Sequence, residues 1–236
     1  MARLIVLALV ACWAGLACGA GDDDADTDAP TTASAAGAAT GSTGSGTTAP
    51  DVAEPALRGE LLATLVEDQA VRTGVPPPGD DRTPEELLAA MSRVDAEHSA
   101  RMEQILDTHG CPTWSLVGRD GSTAAWALVQ HADLRPELQR RGPDLLAQAV
   151  AAGDASPGEL ADLTDRVRVA DGQPQVYGTQ WETDVMGSLV PRAPIEDSDT
   201  VDARRAEAGL ATIDEHLDEL RTSFAAVPTI PEPTGG

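Results

Sequence analysis

Between Leu57 and Phe224 the apolar residues recur three and four positions apart, in runs that proline or glycine closes. That spacing lets a chain form short amphipathic helices and little else. Leu57, Leu61 and Leu65 begin one stripe, which continues into the polar Asp68 and Arg72 and predicts a helix over about 56–72. Leu87, Met91, Val94, His98, Met102 and Ile105 make a second stripe. It is opened by Thr83-Pro84-Glu85-Glu86, which supplies a cap, a proline where no amide hydrogen is needed, and two acids at the positive dipole end. Gly110 and Pro112 close it. Ser122 can cap a third helix, carrying Trp126 and Val129 and ending near His131 and Asp133. Pro136 and Pro143 each suit a first turn, giving two pieces, 137–141 and 144–152, broken at Gly142. Ser156-Pro157-Gly158-Glu159 is a capping box for a helix buried through Leu160, Leu163 and Val167. A last helix is expected over about 200–224.

The period falls to two only at Gln175-Val176-Tyr177-Gly178-Thr179-Gln180-Trp181. A second extended run over 189–195 contains Pro191 and Pro194, which confine it to an edge. The expected fold is therefore mainly α: a single domain of about six helices with one short β-hairpin between the last two. Aromatic residues are 3% of the chain against 42% apolar, so the core has to be filled with Leu, Val and Ala, as helix packing allows.

The first fifty-odd residues cannot join that core. Arg3 and the apolar run from Leu4 to Ala11 have the charge and length of an export signal and are too short to span a bilayer. Two cysteines follow small and apolar residues, Cys12 after Leu9-Val10-Ala11 and Cys18 after Gly15-Leu16-Ala17. Both resemble the lipobox of bacterial lipoproteins, in which the cysteine is lipidated and becomes the first mature residue. Cys12 has the closer motif; Cys18 leaves the longer apolar run and leads straight into an Asp-rich, then Gly/Ser/Thr-rich stretch without hydrophobic period. We take Cys18 as the anchor. The chain then divides into a signal peptide (1–17), a lipidated cysteine with an acidic linker (18–54), the helical domain (55–227) and a proline-rich tail (228–236). A flexible linker of roughly 35 residues reaches about 30 to 35 Å, enough to hold a domain clear of headgroups.

The formal charge of −23 repels phosphate backbones and anionic lipid, so nucleic acid is excluded as a partner and membrane contact has to be covalent. The expected location is the cell envelope, with the domain lipid-anchored to a membrane. Four isolated histidines without His-x-x-x-His or Cys-x-x-Cys spacing argue against a metal, and no motif calls for a cofactor.

The polar residues that could form a site are few. Asp68 and Arg72 stand four apart on a stripe that is otherwise apolar, and Asp95 and His98 three apart on another. Gln130, His131 and Asp133 end the third helix, and Tyr177, Thr179 and Gln180 crowd the first extended run. We expect Gln130, His131 or Asp133 to hydrogen-bond Tyr177 or Gln180 and floor a pocket. Val66-Glu67-Asp68-Gln69, His109-Gly110-Cys111-Pro112, Val129-Gln130-His131-Ala132-Asp133, Tyr177-Gly178-Thr179-Gln180 and Pro194-Ile195 together resemble the landmarks of a bacterial domain-of-unknown-function family. The resemblance covers about 57–220, implies a helical fold with one hairpin, and carries no activity. Cys111 stands where it implies an aromatic residue.

Two functions fit. One is a binding module in which Gln130, Tyr177, Gln180, Asp68, Arg72 and His98 take a small polar ligand or an envelope protein. The other is a metal-independent hydrolase or transferase with His131 as general base and Asp133 or Asp95 orienting it. Processing is testable at once: the intact mass of membrane-extracted protein is expected to correspond to a lipid-modified chain beginning at Cys18, and a mature chain beginning at Cys12, or a soluble unmodified one, overturns that assignment.

Overall fold

The computed structural model describes residues 52–72 and 82–225; the expected signal peptide, Cys12 and Cys18, most of the expected linker and the tail lie outside them. Seven α-helices and one two-stranded antiparallel hairpin form the described part, in the order α1 (Pro55–Arg72), α2 (Pro84–His109), α3 (Trp114–Gln130), α4 (Pro136–Ala151), α5 (Pro157–Ala170), β1 (Trp181–Thr183), β2 (Leu189–Pro191), α6 (Val201–Glu207) and α7 (Ile213–Ala225).

Local chemistry accounts for the ends of α2. The Glu86 amide donates to Thr83 Oγ1 (3.2 Å) while the Thr83 amide donates to Glu86 Oε2 (2.7 Å), the reciprocal box the sequence implies. The helix stops at Gly110, whose φ of 71° only glycine adopts without strain. At α5 the Glu159 amide donates to Ser156 Oγ at 3.3 Å.

α3 is the central element. It buries Val117, Ala124, Ala125, Ala127, Leu128 and Val129, and α1, α2, α4 and α5 all pack on it. Its small residues let backbones approach closely, and α1 lies along it through Leu57 and Leu61. Met102, Ile105, Leu138, Leu146 and Leu163 complete a core built of aliphatic side chains, with Trp126 packed only at its margin.

Three boundaries differ from the sequence expectation. α3 begins at Trp114 after Thr113, not at Ser122, which is buried inside the helix; the chain bends at Gly118 (φ 76°), where helix periodicity is lost for one residue. The two expected pieces around Gly142 are one helix, α4, with Pro143 inside it. Gly142 is there for packing rather than for a break: a Cβ on it would overlap the Leu163 side chain of α5. The expected last helix is divided, a 3-10 turn at Ser198–Thr200 leading into α6, which ends before Gly209 (φ 69°), and α7 following.

The hairpin is also shorter than the alternation implies. Trp181 pairs with Pro191, Glu182 with Val190 and Thr183 with Leu189, and the preceding residues Gln175 to Gln180 form a turn with a single parallel bridge from Gln175 to Ile195. Substituting Gly142→Ala is expected to lower stability by about 1–3 kcal/mol through overpacking against Leu163, measured by urea unfolding; an unchanged midpoint contradicts the packing account.

Candidate functional site

The last turn of α1 carries polar residues on the face that its first turns use for leucine, so Asp68 and Arg72 go into the protein instead of into water. Asp68 is 1% exposed. Arg72 grips it with Nε to Oδ2 at 3.0 Å and Nη2 to Oδ1 at 2.9 Å, and Gln69 Nε2 adds a bond to Oδ2 at 2.9 Å. His131, at the C-cap of α3, brings Nδ1 to Asp68 Oδ2 at 2.7 Å. Arg72 also pairs with Asp95 of α2. Three helices therefore meet at two carboxylates, one guanidinium and one imidazole.

Burial pushes the Asp68 carboxyl up, but the bonds from His131 and Arg72 outweigh it and hold it at about 2. Burial raises Asp95, and Arg72 only partly offsets this while the neighbouring Asp68 adds to it. With Asp68 ionised, its oxygen can only accept, so His131 Nδ1 carries the hydrogen of this bond. Burying such ions gives a fold little net stability against well-packed apolar residues, because desolvation consumes the Coulombic gain. A core made otherwise of aliphatic side chains has an apolar alternative at this point and does not use it.

The remaining expected residues fall into separate places. His98 does not pair with Asp95; its Nε2 lies 3.7 Å from Glu67 Oε2, and its Nδ1 is buried without a partner among the described residues. Gln130 is fully buried, and its carbonyl accepts from Gln139 Nε2 at 2.8 Å. Asp133 does not orient His131. It receives Gln139 Nε2 at 3.1 Å and Arg166 Nη2 at 2.9 and 2.8 Å, so it joins α3 to α4 and α5.

The segment from Tyr177 to Gln180 is organised by α5. Asp165, fully buried, accepts the Val176 amide at 2.7 Å, the Tyr177 amide at 3.2 and 3.1 Å, the Thr179 amide at 3.0 Å and the Thr179 hydroxyl at 3.2 Å. Gln175 replaces strand pairing with its side chain, donating to the Gln180 and Ala193 carbonyls (both 3.0 Å) and accepting the Gln180 amide at 2.7 Å. Gly178 has φ 66°, and a Cβ there would come within 2.7 Å of Ile195 Cδ1 and 2.9 Å of Ile213 Cδ1. Gln180 Nε2 reaches Thr179 Oγ1 at 3.1 Å and Asp162 Oδ1 at 3.4 Å. The bonds of Asp133 and Gln180 thus both run to α5, to Arg166 and Asp162, in place of the expected direct link between them.

Sequence reasoning missed Asp165, Asp162, Arg166 and Arg205. No periodicity marks them, because their partners are backbone groups and loops distant along the chain. Arg205, 2% exposed, donates to the Tyr177 carbonyl at 2.8 Å and closes the same turn from α6.

Cys111 lies beside Pro112, Trp126 and Leu163 at an apolar crevice, and burial with Glu159 and Asp154 nearby pushes its thiol up to about 11, leaving it protonated and unreactive at neutral pH. Among the described residues no three His, Cys, Asp or Glu side chains converge as metal ligands, and no helix is long and apolar enough to cross a membrane.

A family model described as a family of unknown function, DUF6624, matches residues 55–226. No curated protein and no solved structure matches the chain.

The depressed Asp68 fixes a pH dependence. A carboxyl held below its unfolded value adds stability that is complete above about pH 4 and is lost as pH falls through about 2. The difference between wild type and Asp68→Asn in chemical unfolding is expected to shrink by roughly 2 kcal/mol between pH 5 and pH 2. A pH-independent difference contradicts the assignment.

Proposed function

The chain belongs to DUF6624, a family of unknown function, and from its own residues we propose an envelope lipoprotein whose helical domain takes a small polar ligand at the Asp68–His131 pair. Cys18 and the acidic linker after it supply the tether, and the domain is the part that recognises something. The observation that carries the reading is the bond of His131 to Asp68: Nδ1 is committed to an ionised, buried carboxylate, so on the uncharged ring Nε2 is the preset acceptor for a hydroxyl or amine hydrogen. Two carboxylates face one guanidinium here, which favours a neutral or cationic donor over an anion.

A second reading rests on the same tautomer. A base whose ring is held by a buried carboxylate is also the arrangement that removes a proton from a nucleophile, and it supports metal-independent hydrolysis or group transfer with His131 as general base and Asp68, rather than Asp133 or Asp95, orienting it.

Glycerol and ethanolamine, titrated while the His131 ring nitrogens are followed by nuclear magnetic resonance, test the binding reading. Wild type is expected to show a saturable shift at Nε2. His131→Ala is expected to abolish binding and to cost about 1–3 kcal/mol of stability, since Asp68 loses a donor. A wild-type ring indifferent to both probes leaves the pair as a structural staple and defeats the proposal.

A further inference from the structure

A second polar cluster lies apart from the Asp68–His131 pair, where α5, α7 and the turn before the hairpin meet. Thr179 is its centre. Asp162 of α5 hydrogen-bonds the Thr179 side chain and lies 3.4 Å from Gln180 Nε2. His216 of α7 hydrogen-bonds the Thr179 backbone. Among the described residues its Nε2 is buried without a partner, which is unfavourable for a polar atom.

The protonation states are complementary. Burial and the adjacent Asp165 raise the Asp162 carboxyl to about 6 against the pull of Thr179, Arg205 and Arg166. Burial, with Arg205 alongside, lowers His216 to about 4. Near neutral pH the imidazole is therefore uncharged, its Nε2 an open acceptor, while Asp162 exchanges between donor and acceptor. Gln180 adds an amide. Acids outnumber bases here, Asp162, Asp165, Asp202 and Glu219 against Arg166 and Arg205, which disfavours an anionic ligand.

Aromatic placement adds an independent observation. The chain has only six aromatic residues, yet two of them, Tyr177 in this turn and Trp181 just after it at the start of β1, are half-buried rather than in the core. Trp181 is fixed by its Nε1 donating to the Gly178 carbonyl at 2.7 Å. Rings beside side chains that both donate and accept suit ligands with apolar C–H faces and a rim of hydroxyls.

We propose that Asp162, Thr179, Gln180 and His216, with Tyr177 and Trp181, form a second site that binds a neutral polyhydroxylated ligand, a sugar unit. A ligand hydroxyl donates to His216 Nε2 and a second is shared between Asp162 and Gln180.

The test uses the full chain with glucose, maltose and maltohexaose as probes, following the Trp181 indole resonance. A saturable shift is expected, weakened about tenfold by Asp162→Asn and by His216→Gln, and unchanged by His131→Ala. Equal affinity for the three probes assigns a free sugar, and affinity rising with length assigns a polymer. Circular dichroism establishes that each variant is folded. No saturable shift with any probe, or a shift that survives unchanged in both Asp162→Asn and His216→Gln, overturns the proposal.

Discussion

The buried carboxylate of Asp68 is the constraint around which the helical layer is set. It needs several donors to stay ionised away from water, and it obtains them from its own helix through Arg72 and Gln69 and from α3 through His131. Arg72 in turn needs more negative charge than one carboxylate offers and draws in Asp95 of α2. The relative positions of α1, α2 and α3 at this end of the bundle are therefore fixed by buried directional bonds, whereas at the other end Leu57, Leu61 and Val117 pack together and the Arg58–Asp120 and Glu60–Arg101 pairs are exposed. Ionic geometry tolerates less displacement than aliphatic packing, which is why the His131 ring keeps its orientation on this network.

Asp165 performs the corresponding task at the other end of the chain. Two short strands cannot stand in water on their own, and β1 and β2 have three residues each. The hairpin persists because the turn ahead of it is wound around one carboxylate that satisfies three backbone amides and a hydroxyl. Arg205 takes the carbonyls that the same turn leaves facing the other way. A loop with its amides and carbonyls gathered in this manner is rigid, and it carries Tyr177, Gln180 and Trp181 on a frame rather than on a mobile tip. Asp133 and Arg166 then join this frame to the Asp68 layer, so α5 transmits position between the two polar clusters.

How much of this the residues announce varies with the range of the interaction. The helices at α1, α2 and α5 are legible because periodicity and caps act within one turn, and the family landmarks at 66–69, 129–133 and 177–180 mark segments that the structure makes polar. The misread places share one cause. Ser122 has the chemistry of a cap, but core packing buries it inside α3. Gly142 looks like a break, and is instead the space that Leu163 fills. The alternation at 175–181 reads as a strand, yet the carboxylate of Asp165 captures those amides first.

By itself the sequence determined the class of fold, an aliphatic helical domain with one weak hairpin, because spacing, capping and the scarcity of rings are local properties written in the order of residues. It also determined which segments are polar enough to matter. Tertiary structure alone decided their partners: that His131 meets Asp68 sixty-three residues away rather than Asp133 two residues away, and that Tyr177 and Gln180 belong to α5. The physical reason is that a buried charge selects its donors by desolvation and geometry in three dimensions, and neither quantity is encoded in separation along the chain.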